Sequence, residues 1–145
     1  MFKQILVASA AADTASLVVS RAIGLAQPVG RTVTVIYVID PYPFTGVGTE
    51  FAYGQDQYLA VAKAEAATSL ETARATLQAA GVNAGSLVVD GHSVHRSILE
   101  TAQSIGADLI VMGSHGRRGL EKLVLGSVTQ RVLGDTHLPV LVVRD

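Results

Sequence analysis

The chain has 145 residues, 49% of them hydrophobic and 16% charged, with a formal net charge of -1. That balance suits one compact α/β-sized domain over residues 1–145 and excludes a disordered chain. No global basic field invites nucleic acid or anionic lipid, and the absence of cysteine excludes disulfides, thiolate metal sites and cysteine nucleophiles.

The start, "MFKQILVASAAADTAS", holds Lys3 and an apolar run from Ile5 to Ala8. A signal-peptide core needs roughly 7–15 apolar residues and a membrane span roughly 18. The expectation is a soluble, cytoplasmic protein with no membrane partner. "KQILVA", Lys3 to Ala8, is continuously aliphatic, the signature of a strand buried on both faces. A helix follows from Thr14 to Ala26, with Leu17, Ala22 and Leu25 on one face and Asp13 placed to cap it. Pro28 and Gly30 end it. The β-branched run from Arg31 to Asp40 predicts a second strand.

Residues 41–55, "PYPFTGVGTEFAYGQ", read as a long loop, because prolines, glycines and aromatics crowd together. The alanine-rich segment from Asp56 to Ala80 predicts a helix, with Gly81 as its stop. A third strand is expected from Ala84 to Asp90, a third helix from Ser93 to Ile105 stopped by Gly106, and a fourth strand from Ala107 to Gly113. After a glycine-rich loop come a helix from Ser127 to Asp135 and a fifth strand from Leu138 to Arg144. Strands and helices alternate throughout, which predicts a three-layer α/β sandwich on a parallel sheet. In such sheets ligands sit beyond the carboxyl ends of the strands, where strand order reverses.

One of those carboxyl-end loops is unusual. "MGSHGRRGLEKLVLGSVTQ" packs Gly113, Gly116, Gly119 and Gly126 between a strand and a helix start, with Arg117 and Arg118 beside them. A helix start offers unpaired backbone N–H groups and a positive dipole end. Gly126 lets a ligand approach that backbone, Ser127 adds a hydroxyl at the cap, and Gly113 and Gly116 permit unusual turns. The arginines add charged donors. The loop either cradles phosphate or merely closes a turn and caps a helix. It is neither a Walker A loop nor a dinucleotide fingerprint.

Other groups point to less. Asp40, ahead of Pro41, could bond a ribose hydroxyl or make an Asp-Pro turn. His92 and His95 lack carboxylates at ligand spacing and read as loop histidines. "GHSVH", Gly91 to His95, has a histidine where a nucleophile elbow needs its second glycine. No catalytic residue and no metal site is expected.

Gly113, Gly116, Gly126 and Ser127 fit the pattern G-x2-G-x9-G-[S/T]. With "KQILVA", "VTVIYVID", "ADLIVMGSHGRRGLEKLVLGSVTQRVL" and "LPVLVVR", the chain resembles the ATP-binding branch of the universal stress proteins over essentially its whole length. The resemblance implies a five-stranded parallel sheet in the order 3-2-1-4-5, a Rossmann-like adenine nucleotide fold. It implies an ATP or AMP site, with Mg2+ possible alongside ATP. In that site Gly116, Gly126 and Ser127 hold the phosphates and Val128 adds its backbone. Met112, Gly113 and His115 line the ribose and phosphate side, Val38 touches the adenine, and Arg117 lies near the phosphates. Ala8, Ser9 and Ala10 face the glycine loop from the first strand. The family's usual acid in this first loop is replaced by Ala10, and Asp13 could substitute for it or only cap the helix.

The resemblance also implies a homodimer in which the last strand, Leu138 to Arg144, pairs antiparallel with its copy. The function expected is a nucleotide-binding stress-response module, not an enzyme. The alternatives are a slow ATP hydrolase or nucleotidyl-transfer enzyme, and a dimeric interaction protein that binds no nucleotide.

Overall fold

The computed structural model describes residues 2–8, 15–26, 31–39, 49–91, 93–113 and 126–144. Five strands form one parallel sheet: β1 (Gln4–Ala8), β2 (Thr32–Ile39), β3 (Asn83–Asp90), β4 (Leu109–Gly113) and β5 (Val140–Val143). Their order is β3-β2-β1-β4-β5, as expected. The helices are α1 (Ala15–Ala26), α2 (Thr49–Ala79), α3 (Val94–Ile105) and α4 (Ser127–Asp135).

The central strands are apolar on both sides because helices cover both sides. Ile5 and Val7 of β1 join Val33, Val35, Tyr37, Leu109 and Val111 in a core closed by α1 and α2. Leu6 points the other way and meets Ile36, Ile110 and Met112 under α3 and α4, where Ile98, Ala102 and Val132 close the layer. Fully burying one such aliphatic side chain contributes about 1.5–3 kcal/mol. A one-residue slip would exchange the two faces of β1, so the alternation along each strand locks the register.

The amino ends of the strands are closed by backbone chemistry. Asp108, just before β4, accepts hydrogen bonds from the N–H groups of Lys3 (2.8 Å) and Gln4 (3.1 Å). Its own N–H donates to the Gln4 carbonyl at 2.9 Å, so β1 and β4 start in step. Gly81 and Gly106 stop α2 and α3 with φ values of 81° and 69°. At α3 the next residue, Ala107, donates to the Ala102 carbonyl at 2.8 Å, closing the helix end. Only glycine takes that left-handed backbone without a steric cost.

Three expectations need correction. α2 begins at Thr49, not at Asp56, so the second half of the expected 41–55 loop is helix. Gly54 costs roughly 1 kcal/mol relative to alanine there, but extending an existing helix adds a hydrogen bond per residue without a new nucleus. In α1 the buried face is Val18, Val19, Ala22 and Ala26, with Leu25 only partly covered. Ala22 is buried as expected, Val18 and Val19 join it, and the side chain of Leu17 lies outside the described residues. β5 is shorter than Leu138 to Arg144: Pro139 has no N–H to give to a ladder, and the strand starts after it.

Candidate functional site at the carboxyl ends of the strands

Strand order reverses at β1, which pairs with β2 on one side and β4 on the other. Ala8, the last residue of β1, lies opposite Ile36 of β2 and Met112 of β4. Val38 follows two residues after Ile36 and therefore shares its face. Ala8, Val38, Met112 and Val128 all belong to the apolar cluster beneath α3 and α4. The structure thus brings together the expected apolar residues from three strands and a helix. Ser9, Ala10, His115, Gly116 and Arg117, with Asp13, Asp40 and His92, lie outside the described residues.

The start of α4 completes this group. Gly126 is the cap, with φ -63° and ψ 158°, and its carbonyl accepts the first helical bond from Gln130 N–H at 3.0 Å. Ser127 is therefore the first helical residue and not the cap, because its own backbone has already entered the helix. Among the described residues no side chain caps this end. The first-turn N–H groups of an α-helix have no partner within the helix, so the start of α4 carries a set of donors with the positive dipole end behind them.

The glycines also read differently in the structure. Gly113 is the last residue of β4, opposite Val143, and the positive-φ glycines among the described residues are Gly81 and Gly106 alone. The expected special turn at Gly113 is therefore absent, since a strand residue keeps ordinary extended backbone. Gly126 likewise has angles open to any residue. What glycine supplies at both places is the lack of a side chain.

Sequence reasoning missed Thr129. It is 2% exposed, and its hydroxyl donates to the Gly113 carbonyl at 2.9 Å, joining α4 to the end of β4. The signal was present: a threonine three residues before Val132, on the apolar face of an amphipathic helix, needs a partner when buried. It also missed why Gly91 is glycine. A Cβ there would lie 2.0 Å from Ser97 Oγ and 3.2 Å from Ser97 Cβ, so α3 packs onto the bare backbone after β3.

With this geometry in view, comparison with known proteins is informative. The model of the universal stress protein family matches residues 1–144. The chain belongs to the universal stress protein family. It is 33% identical over 144 residues to universal stress protein MJ0531 of Methanocaldococcus jannaschii, covering 99% of this chain and 83% of that one. The solved structure of MJ0577 from the same organism superposes with a TM-score of 0.89 at 28% identity, covering 100% of this chain and 97% of that one. A universal stress protein from Archaeoglobus fulgidus, solved in complex with dAMP, shares the fold, with a TM-score of 0.69 at 21% identity and 98% of each chain covered.

The "GHSVH" segment is no nucleophile elbow in this family member. Ser93 caps α3 with relaxed extended angles, φ -106° and ψ 109°, where an elbow is strained. Its hydroxyl lies 3.0 Å from His95 Nδ1, and His95 Nε2 lies 3.6 Å from Asp135 Oδ2. With Asp135 62% exposed, this pair is a weak surface link between α3 and α4. Among the described residues no three histidine or acidic side chains gather as metal ligands. No helix among them is long and apolar enough to cross a membrane.

Proposed function

We propose that this universal stress protein binds an adenine nucleotide, ATP or AMP, at the β1–β4 switch point and acts as a stress-response binding and signalling module. One observation carries the reading: the side-chain-free start of α4 at Gly126 stands over the carboxyl end of β4, next to the β1–β4 reversal. The N–H groups of Ser127 and Val128, with the Ser127 hydroxyl, would donate to phosphate oxygens. Hydrogen bonds to a charged acceptor contribute about 1.5–3 kcal/mol each, and the helix dipole adds about 0.3–1 kcal/mol. Val38 would touch the adenine, and Met112 and Gly113 would line the ribose and phosphate side, with Ala8 beside them at the end of β1. Ser9, Ala10, His115, Gly116 and Arg117 join the site on the strength of the motif alone. The dAMP complex of the Archaeoglobus relative supports the ligand class. A Mg2+ ion would enter on the phosphates of ATP and not in a cage of side chains.

Calorimetric titration with ATP, AMP and GTP tests this. Binding of adenine nucleotides and weak or absent binding of GTP is the expected outcome. Heats no greater than buffer dilution for all three would sink the reading and favour a module that works through protein contacts alone.

The same proposal includes a cytoplasmic, two-fold homodimer through β5. That strand ends the sheet, and Leu141 on it is 37% exposed. An unpaired apolar edge is a template for pairing. Leu141→Asp should move the sedimentation coefficient from dimer to monomer. A wild-type chain that sediments as a monomer would remove the dimer from the proposal.

A further inference from the structure

Thr129 behaves unlike Thr68, Thr72, Thr76 and Thr101, the other helical threonines among the described side chains. Each of these donates to the carbonyl four residues earlier, at 3.1, 2.9, 2.8 and 2.7 Å. That local bond is the ordinary option for a hydroxyl inside a helix. Thr129 sits in the first turn of α4, where the residue four places back lies outside the helix. Its hydroxyl instead reaches 16 residues back in sequence, to the carbonyl of Gly113 at 2.9 Å. The side chain is 2% exposed, so water does not compete for the bond. Its neighbour Val132, one turn on, is fully buried against Ile98, Ala102 and Ile110, which holds the helix from below.

This bond joins two parts that are distant in sequence and must agree in space. Met112 and Gly113 end β4, and Gly126 to Val128 begin α4. Twelve residues separate Gly113 from Gly126 in sequence, so no rule of local structure can fix their spacing. A single buried hydrogen bond can. It also engages the Gly113 carbonyl at the end of β4.

Resting on the adenine-nucleotide reading, we infer that Thr129 is the positioning residue of the phosphate site. It sets the first-turn N–H groups of α4 against the end of β4 and keeps the Gly113 carbonyl turned to a donor. It does not touch the ligand. Its contribution is pre-organisation: without the tie, the helix start must be ordered when the nucleotide binds.

The experiment compares Thr129→Val, which keeps the shape and loses the hydroxyl, with Thr129→Ser, which keeps the hydroxyl. Affinity for AMP is measured by calorimetry, and amide exchange of residues 127–130 is measured by NMR without nucleotide. Thr129→Val should bind AMP about tenfold more weakly, the scale of one lost buried hydrogen bond, and its first-turn amides should exchange faster. Thr129→Ser should match the wild type in both. Should Thr129→Val unfold, Thr129→Ser decides the matter alone, and a tenfold loss of affinity there overturns the assignment. Wild-type affinity in a folded Thr129→Val overturns it as well. A wild-type protein that binds no AMP would instead overturn the nucleotide reading, while unchanged exchange in Thr129→Val would separately overturn the structural tie.

Discussion

The two ends of the sheet use glycine for opposite reasons. At the amino ends, Gly81 and Gly106 close helices into strands with φ values of 81° and 69°, and nothing lies within 4 Å of the Cβ each lacks. There the backbone conformation demands glycine while space is plentiful. At the carboxyl ends, Gly113 and Gly126 have ordinary backbones, and Gly91 is pressed by Ser97. There the conformation demands nothing, and at Gly91 it is the missing side chain that matters. The amino end builds the fold. The carboxyl end keeps room, for a helix at Gly91 and, on our reading, for a nucleotide at Gly113 and Gly126.

Substitutions can break this contrast. The largest effect should come from Gly126→Val. Its backbone accommodates valine, so the fold should lose no more than about 1 kcal/mol, the difference between a good and a poor cap. Nucleotide affinity should fall at least about a hundredfold, or about 2.7 kcal/mol, as branched methyls fill the approach to the helix start. Undiminished binding of AMP in calorimetry would show that the room at Gly126 serves no ligand.

Gly106→Ala should do the reverse. Forcing a side chain into the left-handed conformation costs roughly 1–2 kcal/mol. The melting temperature should drop by several degrees, while affinity for AMP stays within twofold. A loss of affinity without a loss of stability would erase the division of labour between the two ends.

Gly91→Ala sharpens the contrast, with a smaller effect. The new methyl meets Ser97 Oγ, which can rotate away, and Ser97 Cβ at 3.2 Å, which cannot. We expect a loss of about 1 kcal/mol, at the low end of overpacking costs. Combined with Ser97→Gly, which removes both atoms, Gly91→Ala should cost less than the sum of the two single losses. Denaturant unfolding of the single and double variants measures this coupling. Additive losses would mean that the contact is not the cause.

Much of the fold was legible because its signals are local. The unbroken aliphatic runs of β1 and β4 announce strands covered on both faces, and Gly81 and Gly106 announce helix ends through the backbone alone. The start of α2 was not legible. Gly46, Gly48 and Gly54 among aromatics look like a loop, but a helix once begun at Thr49 runs through Gly54. The stripe of α1 was legible at Ala22 but not at Val18 and Val19, because the neighbours decide which residues are covered.

The candidate site was legible in part. Ala8, Val38, Met112, Gly113, Gly126, Ser127 and Val128 could be named from their likeness to a motif, and the fold gathers Ala8, Val38, Met112 and Val128 into one cluster. Thr129 was missed although its place on the apolar face of α4 marked it, and Ser97 was missed because its role lies in the close approach to Gly91, which only the packing of α3 reveals.

By itself, the sequence determined the alternation of strands and helices, the parallel sheet and the family. The elements and the parallel sheet follow from periodicity, turn chemistry and composition, which act over a few residues at a time, while the family follows from likeness to a known motif. Only the tertiary structure decided what the glycines are for. Identical residues supply a left-handed turn at Gly106 and a close approach of Ser97 at Gly91, and the difference lies in what stands opposite. It likewise decided that Thr129 binds the end of β4 and not its own helix, because a hydrogen bond across the fold exists only once both partners are in place.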